Sequence, residues 1–128
     1  EIKKFKSENE IKFDVIIDDS LHDYEGFIGN IINFFPMLKS EGTYVLEDFK
    51  RKDERLINMR NYNEKYGKSL MGYSLSMKEI FEKLSNKEIF EYSFFSLENQ
   101  RILHQNIEKI EIIYPEHPSA SLALIKKK

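Results

Sequence analysis

Two short apolar runs, each stopping at a pair of carboxylates, constrain this chain more than any other feature. Phe13-Asp14-Val15-Ile16-Ile17-Asp18 is rich in β-branched residues and runs on into Asp19, Ser20, Leu21 and His22. Tyr44-Val45-Leu46 runs on into Glu47 and Asp48. Both read as strands, and the near-continuous apolarity of the first predicts cover on both its faces. Between them Phe27, Ile31, Phe34 or Phe35, and Leu38 recur at helical spacing over about 23–39, with Asp23 as N-cap and Gly42 just past the end. Strand, helix and strand within roughly 35 residues is the size of a right-handed crossover unit, so the two strands are expected to be parallel. In an open parallel sheet the carboxyl ends of neighbouring strands face one crevice, where ligands bind. Asp19, Glu47, Asp48 and His22 converge there if the strands are neighbours.

The remaining segments extend this pattern. Residues 1–12 are charged and read as the tail of a helix or a connection into the first strand. From Asp53 to Tyr66 the chain is polar, with Leu56, Met59 and Tyr62 loosely at helical spacing, before Gly67 and Gly72 open a loop. That stretch is a candidate lid. Ser76-Met77-Lys78-Glu79 is a capping box, and Met77, Ile80, Phe81 and Leu84 form the apolar face of the helix it starts. Over 88–105, Phe90, Tyr92 and Phe94 alternate like a strand while Leu97 to His104 has a helical pattern, and the segment stays open. Ile107 to Tyr114 and Ser121 to Ile125 read as two strands joined through Pro115 and Pro118, an antiparallel hairpin. The fold class expected is α/β, with parallel strands and crossover helices ending in an antiparallel β-hairpin, all in a single domain over 1–128.

Composition narrows the partners. With 128 residues, 41% of them hydrophobic, the chain buries one core and needs no second domain. Its net charge of −2 leaves no basic face of the kind nucleic acid demands, and Lys126, Lys127 and Lys128 read as a solvated tail. There is no cysteine, which excludes disulfides and thiolate metal sites. The apolar runs are far too short for a membrane span, and residues 1–12 lack the apolar core of a secretory signal, so the expectation is a cytoplasmic protein without membrane contact.

Carboxylates at the ends of two neighbouring strands, about 4.8 Å apart, can share one cation. Magnesium suits them, as a hard ion that takes oxygen ligands and keeps several waters; calcium and manganese also fit. A nearby imidazole such as His22 can take a proton from a metal-bound hydroxyl. The competing structural reading is that Asp18, Asp19 and His22 only cap the following helix and bond the strand-exit turn.

The segment from Phe13 to Phe49 resembles class I S-adenosylmethionine-dependent methyltransferases, especially the metal-dependent sugar O-methyltransferases of the macrocin and mycinamicin type and their cephalosporin-hydroxylase-like relatives. Those proteins read Asp-Asp-Gly-Ser-His at the end of the fourth strand, Phe-Pro-x-Leu-Lys on the next helix and Ile-Glu-Asp on the fifth. The matching residues are Asp18, Asp19 and His22, then Phe35, Pro36, Leu38 and Lys39, then Leu46, Glu47 and Asp48. The resemblance implies a partial Rossmann-like methyltransferase fold in which Asp19, Glu47 and Asp48 bind Mg2+ and His22 is the general base. The final hairpin looks like the family's last two strands.

It further implies S-adenosylmethionine as methyl donor and a small-molecule or sugar hydroxyl as acceptor. Ser20 and Leu21 stand where the family has Gly and Ser, and Ser40-Glu41 replaces Pro-Gly before Gly42. No glycine-rich cofactor loop precedes Phe13, so the chain looks like the carboxyl-terminal half of such an enzyme, with one sheet edge bare unless a second copy or an amino-terminal half covers it. Two other readings stand beside it: a non-catalytic remnant or interaction module, and a hydrolase or hydroxylase using the same carboxylates. Asp18 sits beneath the cofactor or finishes the strand, and Tyr24 and Glu25 line the cleft or pack the helix start. Phe90, Tyr92, Phe94 and Phe95 read as core or as a dimer contact. His104 and His117 read as surface or half-buried residues rather than ligands.

Overall fold

β1 (Phe13–Asp18) and β2 (Leu38–Glu47) pair in parallel, with Ile16 opposite Tyr44 and Asp18 opposite Leu46. This is a computed structural model, and it describes residues 11–20, 23–65, 75–117 and 120–128. The crossover between the two strands is α1 (Tyr24–Phe34) followed by a single 3-10 turn (Phe35–Met37). After β2 come α2 (Lys50–Lys65), α3 (Met77–Ser85), α4 (Leu97–Asn106), β3 (Ile107–Ile113) and β4 (Leu122–Lys127). β3 and β4 form the expected antiparallel hairpin, and β4 also pairs antiparallel with β2, giving the sheet order β1-β2-β4-β3. The protein is therefore α/β, with a four-stranded mixed sheet and four α-helices among the described residues.

The core lies on one face of the sheet. Ile16, Tyr44, Leu46, Ala123, Ile125, Ile110 and Ile112 share that face by register and pack with Phe27, Ile28 and Ile31 of α1 and with Met77, Ile80, Phe81 and Leu84 of α3. The capping box forms as the sequence predicts: Ser76 Oγ accepts from the Glu79 N–H, and Glu79 accepts from the Ser76 N–H. The opposite face carries Val15, Ile17, Val45, Leu122, Leu124 and Ile113, none of which belongs to the core. Val15 and Ile17 are 54% and 64% exposed, which corrects the expectation of cover on both faces of the first strand. The physical reason is directional: the core side chains of α1, α3 and α4 all join the cluster on the other side.

α1 is shorter than its apolar spacing predicts. The expected helix over 23–39 ends at Phe34, because Pro36 lacks the N–H that would continue the ladder, and Leu38 and Lys39 already belong to β2. Gly42, expected just beyond a helix, lies inside a kink of β2, where Leu38 to Thr43 spans only Phe13 to Val15 of the partner. A Cβ at Gly42 would stand 2.9 Å from the Lys39 carbonyl oxygen and 3.0 Å from that of Asp14, so the strand approaches too closely for any side chain. The preceding Glu41 has φ of 66°, a left-handed conformation that costs an L-residue about 1–2 kcal/mol. Glu41→Gly is therefore expected to stabilise the fold by about 0.5–1 kcal/mol after the greater chain entropy of glycine is set against it. Gly42→Ala is expected to destabilise. Thermal denaturation of the two variants checks this through the opposite signs of their Tm shifts.

Two ambiguous regions resolve. The aromatic alternation at Phe90, Tyr92 and Phe94 makes no strand; these side chains pack against the core from an irregular segment, and α4 follows. Buried Gln100 of α4 holds that segment, donating to the carbonyls of Phe90 at 2.8 Å and Phe95 at 2.9 Å and accepting from the Phe90 N–H. The terminal lysines are not simply a solvated tail: Lys126 and Lys127 lie in β4, and the Lys127 ammonium donates to the Leu38 carbonyl at 2.8 Å. Gly67, Gly72 and Pro118 lie outside the described residues. Among the described residues no helix is long and apolar enough to cross a membrane.

Candidate functional site

The parallel register brings the carboxyl ends of β1 and β2 to one crest. Asp18, only 7% exposed, accepts hydrogen bonds from the Tyr44 hydroxyl at 2.6 Å, the Asn30 amide at 3.2 Å and the Ser20 N–H at 3.1 Å. It finishes the strand and locks the exit turn to α1. Burial, and then the bond to Asp18, push the Tyr44 hydroxyl far above its ordinary pKa, so it stays a neutral donor. Asp23 is the N-cap of α1 and accepts from the Gly26 N–H at 2.6 Å.

Asp19 follows Asp18, whose register partner is Leu46, and Glu47 follows Leu46, so the two carboxylate-bearing residues leave neighbouring strand ends side by side. Asp19 is exposed and Glu47 half-buried. Asp48 turns out of the strand with φ of 58°, and its N–H donates to the Ser121 carbonyl at 2.9 Å. His22 lies outside the described residues. Among the described residues no group of three or more His, Asp or Glu side chains is close enough to hold a metal ion. The register alone brings the carboxylate-bearing residues Asp19 and Glu47, with Asp48 next in sequence, to the same end of the two strands.

Beside the crest, the chain leaving β2 is clamped to the β3–β4 connection. The Lys50 N–H donates to Ser121 Oγ at 3.0 Å, and the Lys50 ammonium donates to the carbonyls of Pro115 and Glu116. That ammonium also stands 4.8 Å from the Tyr114 ring centre, and Lys78 approaches the same ring at 5.2 Å. Cation–ring attraction of this kind, roughly 0.5–1 kcal/mol where exposed, ties α2 and α3 to the end of β3.

Asp53 sits deeper, fully buried where α1, α2 and α3 meet. It accepts from the Tyr24 hydroxyl at 2.7 Å and from the N–H groups of Met77 at 2.8 Å and Lys78 at 3.0 Å. Burial pushes its carboxyl above the usual range against the pull of these three donors. Tyr24 therefore packs the helix start through Asp53, while Glu25 is exposed. No sequence signal singles out Asp53, one acid in a polar helix, because its partner is the amino end of a helix 24 residues away.

At the same helix end, Glu79 accepts two bonds of 3.0 Å from the Arg60 guanidinium. Burial raises its carboxyl, but Arg60 and the Ser76 N–H outweigh burial and hold it below the ordinary value of 4.5. A group depressed in the folded state contributes stability above its unfolded pKa and loses it as pH falls through the folded one. Glu79→Gln is therefore expected to cost about 1 kcal/mol near neutrality, with the difference from the parent fading as pH drops below 4.5. Urea titrations at several pH values measure it, and a pH-independent difference contradicts it.

Neither the protein-family models nor the curated proteins give a match to this chain.

Proposed function

We propose that this chain is the carboxyl-terminal portion of a Rossmann-like class I methyltransferase that, in the complete enzyme, methylates a hydroxyl of a sugar or natural-product acceptor with magnesium assistance. The observation that carries the reading is the shared crest, where Asp19 and Glu47 leave adjacent parallel strands next to Asp48. The hairpin after the parallel pair and the uncovered sheet face support it, because a doubly wound sheet carries helices on both faces.

In this reading Asp19, Glu47 and Asp48 offer oxygens to the metal, and His22 takes the acceptor's proton. Magnesium, when bound, lowers the pKa of the acceptor hydroxyl, and S-adenosylmethionine supplies the methyl group. Asp18 and Tyr44, through their mutual bond, hold the β1 exit in place so that Asp19 and the turn beyond it start from a fixed backbone.

The test is methyl transfer by the full protein that contains this chain. His22→Ala is expected to lower kcat/KM about 10²- to 10⁴-fold, and Asp19→Asn to raise the magnesium concentration required. Metal-independent turnover, or a His22→Ala variant of full activity, overturns the mechanism. The exposed apolar face favours a second reading, an interaction module of the same fold without catalysis, and a flat calorimetric titration of the full protein with S-adenosylmethionine supports that one instead.

A further inference from the structure

The turn that carries the chain out of β2 is held from outside by one residue. The Asp48 N–H donates to the Ser121 carbonyl at 2.9 Å, and two residues later the Lys50 N–H donates to Ser121 Oγ at 3.0 Å. Ser121 is fully buried and stands immediately before β4, 71 residues after Lys50. Its two oxygens bracket the turn.

Each bond answers a local deficiency. Lys50 opens α2, so its N–H has no acceptor within the helix, and Phe49 before it has no side-chain oxygen to act as a cap. Ser121 Oγ supplies that acceptor from the neighbouring strand end. Asp48 has φ of 58°, a left-handed backbone that is disfavoured roughly tenfold for an L-residue. An aspartate ordinarily reaches this region through a local hydrogen bond of its own side chain. Here neither the Asp48 carboxylate nor that of Glu47 has a hydrogen-bond or ion-pair partner among the described residues, so the conformation is imposed by what surrounds the turn. Phe49 adds to that hold: it is fully buried, edge-on to Phe81 with ring centres 5.6 Å apart and 5.9 Å from the ring of Tyr114. A sparsely populated backbone persists only where its neighbours over-determine it, and such residues gather where a functional side chain has to be aimed.

We propose that Ser121 is a positioning residue of the crest, fixing where the Asp48 carboxylate is presented through the backbone bonds on either side of it. The role rests on the reading of Asp48 as one of the groups that offer oxygen to the metal. Ser121 acts only through the backbone of Asp48 and Lys50. Without its Oγ the Lys50 N–H is left unpaired in a buried place, and the first turn of α2 shifts to satisfy it. The left-handed Asp48 then relaxes to a commoner conformation, which moves its carboxylate.

The experiment measures Mn2+ binding by the 128-residue chain, read from the paramagnetic relaxation of water protons, together with amide hydrogen exchange at Asp48 and Lys50. Ser121→Ala is expected to weaken Mn2+ binding about tenfold, the factor by which the left-handed backbone is disfavoured, and to speed exchange at both amides by about tenfold or more. Ile110→Val, a trimming of the core on β3 with a similar cost to stability, is the control and is expected to leave both readouts within about twofold. Equal loss in the Ile110 variant overturns the positioning role and leaves the metal reading in place. So does a Ser121→Ala chain that keeps the parent's Mn2+ affinity while Asp48→Asn loses it. A parent chain that binds no Mn2+, or an Asp48→Asn variant that binds it as the parent does, overturns the metal reading and the role with it.

Discussion

Asp53→Ala is expected to destabilise the protein by about 3–5 kcal/mol, enough to threaten the fold of a domain this size. The carboxylate is fully buried and accepts from three donors on two other helices, so its loss removes the acceptor shared by the Tyr24 hydroxyl and the N–H groups of Met77 and Lys78. Each unpaired donor costs about 1–3 kcal/mol, partly offset because the costly buried charge is gone as well. Tyr24→Phe removes one of the three bonds and is expected to cost about 1 kcal/mol. The folded pKa of Asp53 is raised, so its own contribution is complete below 3.8 and declines as pH rises through the folded value. The Asp53→Ala penalty is therefore larger in acid than at neutrality. Urea denaturation of both variants measures these differences, and an Asp53→Ala loss below about 1 kcal/mol would contradict the proposed weight of the network.

The second large effect is on association. The sheet face bearing Val15, Ile17, Leu122, Leu124 and Ile113 is apolar and outside the core, a surface that drives isolated chains together as their concentration rises. Val15→Lys combined with Ile17→Lys is expected to weaken that self-association a hundredfold or more, from the loss of about 3 kcal/mol of apolar burial. Folding stability of the isolated chain stays within about 0.5 kcal/mol, because both side chains are already more than half exposed. Sedimentation velocity reads the first expectation and thermal denaturation the second. In the full protein, if further helices cover this face, the same pair of lysines is instead strongly destabilising, so the two contexts distinguish a covered face from a free one.

Local chemistry was readable wherever one segment carries its own instruction. Ser76 and Glu79 define a helix start within four residues, Asp23 caps α1, and the two Ile- and Leu-rich runs after residue 106 find each other across a short connection. Parallel pairing of β1 and β2 followed from the crossover length. What the sequence hid depends on distant partners. Phe90, Tyr92 and Phe94 alternate as a strand does, yet their backbone is bonded by the side chain of Gln100, a contact no periodicity encodes. Asp53 opens a polar stretch in the sequence and is the most buried acid among the described residues, since its role depends on where another helix begins. The β1 run implied two covered faces because apolarity records what a strand needs, not whether the chain at hand provides it. Of the candidate site, the adjacency of Asp19 and Glu47 was legible from pattern; the detention of Asp18 by Tyr44 and Asn30 was not, for the tyrosine sits in an otherwise apolar run.

The strand order has a consequence for the newborn chain. β3 precedes β4 in synthesis, yet its sole neighbour in the described sheet is β4, which wedges between it and β2. While residues 107–113 emerge from the ribosome their native neighbour has yet to be made, and the β1–β2 pair waits with its inner flank unzipped. Only when residues 122–127 arrive do both seams close together, so the late segment acts as a keystone, and a translation pause just before it would leave two unsatisfied borders open to rival strands.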